Sequence, residues 1–371
     1  MTNTEPKTPL RRVVSQFALW FIVVCLTVYI LNLGAPIIIP FVIAIFVWYL
    51  INAMARGFGR FKLPRVLCFT LAILFLAMGV WDIFELISRN VTNVAKAAPL
   101  YQQHFKEVLP KIFAWFNLEH QPTIEELTNY LNISALITTI VKTVSGIAGK
   151  TVVVMFYTGF LLYEQKYFNT KITGMFADKK LEKNVRQILH NIDIKVQRYI
   201  WVKTFVSTLA GGLTFAVLQA WHVDFAAFWG AITFLLNFIP YVGSLLSIIL
   251  PSLIALVQFS DQPDFMTSFL FVLISLGVLH GIIGHALDPF LMGKNLNLSP
   301  IFIITSLAMW EMIWGVPGMF LAIPILAMIV ITLSQFPSTR PLAVLLSKTG
   351  EVEPEDDVEV KPTAPVKHKK A

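Results

Sequence analysis

Two long hydrophobic stretches, Phe225–Phe259 and Pro300–Ser334, are each pierced near the middle by proline and glycine. The interruptions read Asn237-Phe238-Ile239-Pro240-Tyr241-Val242-Gly243 and Trp314-Gly315-Val316-Pro317-Gly318. Proline removes a backbone N–H and glycine relaxes the chain, so neither stretch can run through as a plain helix. Each is either a helical hairpin that goes in and out by one face of a bilayer or a kinked crossing helix, and the sequence leaves both open. Non-helical backbone at membrane depth survives only where protein or a watery cavity covers it. Paired interruptions therefore point to a transport site.

The rest of the chain supplies the membrane setting. A hydrocarbon core about 30 Å thick needs about 20 apolar helical residues. Runs of that kind lie at Phe17–Leu33, Ala35–Ile51, Val66–Ile87, Ile147–Tyr163, Tyr199–Trp221 and Met266–Leu287. With the two broken stretches they predict an all-α polytopic membrane protein of about eight segments. Gly34 alone separates the first two runs, which predicts a tight hairpin. The opening run is long and leads straight into another, unlike a cleaved signal peptide. Of 371 residues, 56% are hydrophobic and 14% charged; soluble domains have about 45–50% and about 25%. Cys25 and Cys68 both sit in apolar runs, so a disulfide framework is excluded.

The net charge of +7 suggests no nucleic-acid partner once the basic residues are placed. Arg11 and Arg12 precede the first run, and Arg56, Arg60, Lys62 and Arg65 fill the loop after the second. Between Glu164 and Lys203 stand nine basic and four acidic residues. The positive-inside rule puts all three groups, and both termini, in the cytoplasm of a bacterial inner (plasma) membrane protein. The predicted organisation is a cytoplasmic N-terminus (1–16), three spans (17–87), an external helical cap (88–146), a span (147–163) and a basic arm (164–198). A transport core (199–334) and a cytoplasmic tail (335–371) follow. In the arm, Leu181, Val185, Ile188, Leu189, Ile192, Val196 and Tyr199 make an amphipathic stripe that Asp178 could cap, lying on the inner leaflet or against the protein itself. Thr123-Ile124-Glu125-Glu126 reads as a capping box inside the external cap, and the acidic, then basic, tail reads as disordered.

Soluble-type chemistry finds little support. Gly146-Ile147-Ala148-Gly149-Lys150-Thr151 imitates a phosphate loop, but Val144 stands where the first glycine belongs. No spacing suggests a metal, a cofactor or a nucleophile elbow, so the chain reads as no enzyme. Polar groups among the apolar segments are costlier and more telling, at about 2.5–3.5 kcal/mol for a central charge. His285 and Asp288 fall at i and i+3, close enough to pair, and Glu311 precedes the second break by three residues. Asn237 abuts the first break. Asp82 and Glu85 read as interfacial, and Gly211 and Gly212 as packing positions.

These motifs resemble the autoinducer-2 exporter family of permeases. The resemblance is carried by Asn237 to Gly243, by Asp288-Pro289-Phe290-Leu291-Met292-Gly293-Lys294 with Leu298-Ser299-Pro300, and by Trp314-Gly315 followed by Gly318-Met319-Phe320-Leu321-Ala322-Ile323-Pro324. It covers most of the chain and keeps the motif order. It implies a multi-spanning bacterial inner-membrane permease whose relatives are linked to export of the furanosyl signal or to cation/proton exchange. Two residues depart from the pattern. His285 stands where relatives often carry Asn, and Glu311 where many carry a small residue, and both add titratable groups.

The resulting expectation is a secondary-active permease that exports a small polar solute, autoinducer-2 being one candidate. The alternatives are a monovalent cation/proton antiporter and a non-transporting membrane scaffold. The pathway residues on this reading are Asn237, Pro240, Tyr241, Gly243, His285, Asp288, Pro289, Gly293, Glu311, Gly315 and Gly318, with a bilayer and a homo-oligomer as surroundings.

Overall fold

The computed structural model describes residues 9–115, 150–292, 297–336 and 338–350. The capping box at 123–126, most of the phosphate-loop decoy, Gly293 and the tail beyond 350 lie outside them. Every regular element among the described residues is helical. α1 is Pro9–Leu33, α2 Ala35–Gly59 and α3 Arg65–Trp115. α4 spans 150–164, and a single 3₁₀ turn joins it to α5, Phe168–Met175. Next come α6 (Lys179–Ala220), α7 (Ala226–Leu236), α8 (Val242–Gln258) and α9 (Phe265–Ile282). A π-turn at Ile283–Leu287 leads into α10, Asp288–Met292. α11 (Pro300–Trp314), α12 (Val316–Ser334) and α13 (Arg340–Leu346) follow. Among the described residues, five stretches are long and apolar enough to cross a bilayer: α2, Arg65–Asn90 of α3, α6, Phe265–Leu291, and α12.

Three helical joins differ from the sequence expectation. Gly34 keeps right-handed helical dihedrals, and α1 touches α2 only near the junction. Antiparallel helices need about 2–5 connecting residues to reverse, so one glycine cannot make the expected hairpin. α1 instead runs on from α2, its side chains from Phe21 to Ile30 all exposed. The third span continues without a break into the expected cap, through Pro99 and Pro110, to Trp115. Its outer part is anchored by Val94, Tyr101 and Phe105, which are buried among Leu218, Phe228, Trp229 and Ile254. The Tyr101 hydroxyl donates to Asp224 at 2.7 Å, and Lys111 to the Ser260 carbonyl at 2.8 Å. Burial, and then the Asp224 carboxylate, hold the Tyr101 phenol protonated above its ordinary range.

The basic arm and the fifth span are also one helix, α6, about 63 Å long at 1.5 Å per residue. Asp178 caps it as expected, accepting from the Lys180 N–H at 2.8 Å. Its arm end is tied to α5, where Arg186 donates to Asn169 and Thr173. Farther along, Val196, Tyr199 and Ile200 pack with α2, α11 and α12. Val206 and Ala210 then pack on Ile283, and Leu218 joins the cluster beneath α3. α6 thus runs through the core as its central post, with α7 laid along it.

Each interrupted stretch is two helices. α11 and α12 form an antiparallel hairpin, since Gly318 lies against the Trp310 carbonyl and Ser306 donates to the Ala322 carbonyl farther along. α7, at 11 residues, is about 16 Å long, well short of a bilayer core. It turns into α8 at Asn237–Tyr241.

Candidate functional site

α6 is apolar through most of its second half, yet Lys203, Ser207 and Thr214 fall at i, i+4 and i+11 on one buried face. Each meets a partner from a different element. Lys203 Nζ donates to Asp288 Oδ2 at 3.1 Å. Asn237 Nδ2 donates to Ser207 Oγ at 3.0 Å. Thr214 Oγ1 lies 3.3 Å from His280 Nε2. Lys203 is 5% exposed, and Asn237 and His280 are 3%. An unpaired buried polar group costs about 1–3 kcal/mol, so these contacts fix α7, α9 and α10 on α6 in one register. Between the second and third pairs the helices nearly touch. A Cβ on Gly211 would sit 2.6 Å from the Gly230 carbonyl, and one on Gly230 would sit 2.8 Å from the Gly211 carbonyl. Gly212 faces open space.

The seam is incompletely satisfied. Asp288 Oδ1 and His280 Nδ1 are enclosed without a hydrogen-bond partner. Buried polar groups in that condition are uncommon and gather at working sites.

The first break is shaped for this seam. Asn237 closes α7 with its side chain turned to α6, and Pro240 follows in the turn. Tyr241 then takes φ +60°, which costs a non-glycine residue about 1–3 kcal/mol. Its ring is exposed. Gly243 is obligatory here, because a Cβ would lie 1.8 Å from the Leu236 carbonyl.

Asp288 owes its position to the π-turn. Proline at 289 has no N–H and would crowd the His285 carbonyl in a regular helix, and the chain answers with a wider turn, the Asp288 N–H bonding the Ile283 carbonyl. In a wide turn, i and i+3 no longer stack. His285 accordingly faces outward, its Nδ1 3.2 Å from the Gly281 carbonyl, and Asp288 pairs with Lys203 rather than with His285. Pro289 is exposed.

The second break has a different setting. Gly315 adopts φ +66°, ψ −145°, a conformation open in practice to glycine alone. At Gly318 a Cβ would lie 2.0 Å from the Trp310 carbonyl. Trp314 Nε1 donates to the Leu31 carbonyl at 2.9 Å and Asn32 Nδ2 to the Ile313 carbonyl at 3.0 Å, tying this tip to α1. Glu311 is exposed on α11, away from the seam. Of the residues expected to line a pathway, the structure brings Asn237 and Asp288 onto the α6 seam with Gly243 beside Asn237, and leaves His285 and Glu311 outside it.

Lys203, Ser207, Thr214 and His280 were not among the expected site residues. Lys203 carried a signal, as a lone charge four residues into the apolar run that begins at Tyr199. His280 carried none, because α9 is apolar on every side and its inward face is not encoded in its pattern.

A bundle of helices long and apolar enough for a bilayer, with two broken hydrophobic segments and an inward polar seam, defines a multi-pass membrane transporter. The chain belongs to the AI-2E transporter family, whose profile matches residues 17–338. It is 26% identical over 321 residues to the AI-2 transport protein TqsA of Escherichia coli K12, covering 85% of this chain and 91% of TqsA. A relative from Borreliella burgdorferi is 25% identical over 331 residues, covering 87% and 89%. YhhT of Escherichia coli K12 is 23% identical over 322 residues, covering 85% and 89%.

Proposed function

We propose that this protein is a secondary-active permease of a bacterial inner membrane, with both termini cytoplasmic, that moves a small polar solute outward along the α6 seam. One observation carries the reading: at the first break the buried Asn237 side-chain amide bonds Ser207, on a helix face that makes two further polar pairs where an apolar core would be more stable. The free ends of α7 and α8 add partial charges to the same place. TqsA is named for AI-2, which makes autoinducer-2 the first solute to test.

The test is flux in liposomes holding the purified protein, without ATP, across autoinducer-2, organic anions and monovalent cations. Movement of at least one of them, lost in Asn237→Ala, is the expected result. Folded protein that moves none overturns the reading. Monovalent cation/proton antiport is the second reading, favoured by the bond from the buried Lys203 to the half-buried Asp288. It predicts that a pH-sensitive dye inside the vesicles responds to Na⁺ or Li⁺ and that Asp288→Asn abolishes the response.

A further inference from the structure

The ion pairs Arg89–Glu85 and Lys171–Glu164 are local in sequence and exposed, and Arg186–Glu182 is local and half-buried. Lys203–Asp288 bridges 85 positions, with the lysine side chain only 6% exposed. Its two members sit on unequal supports. Lys203 projects from the middle of the long, packed α6, whereas Asp288 starts a five-residue helix behind a π-turn. A π-turn inside a helix is frequently found at functional sites. Pro289 keeps this turn from closing to ordinary helical pitch, so Asp288 leaves Lys203 only when the short segment behind the turn moves as a unit.

The carboxylate is half used. Oδ2 holds the ammonium, and Oδ1 is enclosed with no partner. The charged and titratable groups that α6 turns toward Asp288 are Lys203 and Tyr199, one turn apart. From the preceding helix, His280 is directed at Thr214 and His285 outward. Neutralising Asp288 where it stands would strand a buried ammonium, a costly state. A second cation on this carboxylate and the bond to Lys203 therefore exclude one another, and exchange between them requires the α10 segment to move.

We propose that Asp288 is an exchange site for a small monovalent cation, a proton or an alkali ion, and that the Lys203 ammonium is its tethered stand-in during the rest of the cycle. The arrangement deepens the permease reading by supplying the coupling ion, and it rests on that reading for its place in transport.

Hydrogen exchange of the full chain in nanodiscs tests this through the amides of 283–292. The reference is choline buffer at about pH 8, against added Na⁺ or Li⁺ at equal ionic strength and against about pH 5.5, corrected for intrinsic rates. Exchange is expected to quicken about tenfold in one arm, acid identifying the proton and Na⁺ or Li⁺ an alkali ion. Asp288→Asn should exchange fast in every buffer and respond to none. Lys203→Gln, whose neutral amide keeps a hydrogen bond to Asp288 without competing as a charge, should respond at lower cation concentration than the parent, whereas a purely structural pair predicts no response from the parent. If Asp288→Asn does not fold, Lys203→Gln decides alone. A parent that responds to neither arm, or a Lys203→Gln response at unchanged concentration, overturns the proposal. The readout needs no solute, so absent flux in liposomes bears on the permease reading separately.

Discussion

At the first interrupted stretch the buried Asn237 amide crosses to Ser207 on the central helix, while at the second the side-chain bonds run to the edge of the molecule, joining Trp314 to Leu31 and Asn32 to Ile313. Both tips use the same device, a glycine whose α-carbon lies against a carbonyl of the preceding helix. The surroundings separate them: polar side chains from four elements meet near the first, and the aromatic pair Trp310 and Trp314 fills the second. Similar Pro/Gly punctuation thus builds one tip tied to the polar face of the central helix and one tied to the edge of the bundle. What a broken segment does is set by the helix it leans on.

The comparison can be strained at several points. Gly243→Ala and Gly318→Ala would each drive a Cβ to 2.0 Å or less from a carbonyl oxygen. Each is expected to cost about 3 kcal/mol or more, seen as a lower thermal midpoint in detergent, and an alanine tolerated at either tip would contradict the close approach drawn there. Asp288→Ala strands the Lys203 ammonium and should cost about 3 kcal/mol; Lys203→Met with Asp288→Leu should regain most of that in thermal unfolding while flux stays absent. Full flux from the double variant would remove the pair from transport.

Smaller changes sharpen the contrast. Asn237→Ala should lose about 1–2 kcal/mol and about tenfold in flux, while Trp314→Phe should lose about 1 kcal/mol and keep its flux. Equal flux losses would erase the distinction between the tips. Glu311→Gln, on an exposed surface, should change stability by less than about 0.5 kcal/mol and leave flux as it was.

The breaks at 237–243 and 314–318, the Asp178 cap and the membrane class were legible because proline, glycine and apolar run length act locally. The continuation of α3 through Pro99 and Pro110 was not, since it depends on Val94, Tyr101 and Phe105 finding partners more than a hundred positions away. Lys203 was counted as the last charge of the basic arm, although its place four residues into the apolar run from Tyr199 set it apart from the others. The choice between His280 and His285 was closed to sequence reasoning in a helix with no polar face. The Asp288 partner was misjudged because regular helical spacing was assumed across a turn that Pro289 widens.

The unbroken run of α6 has a mechanical consequence. With no loop between its lysine-rich end and the face that holds Asn237, His280 and Asp288, one continuous backbone joins the basic arm to all three contacts, so the arm and the polar face cannot be displaced independently.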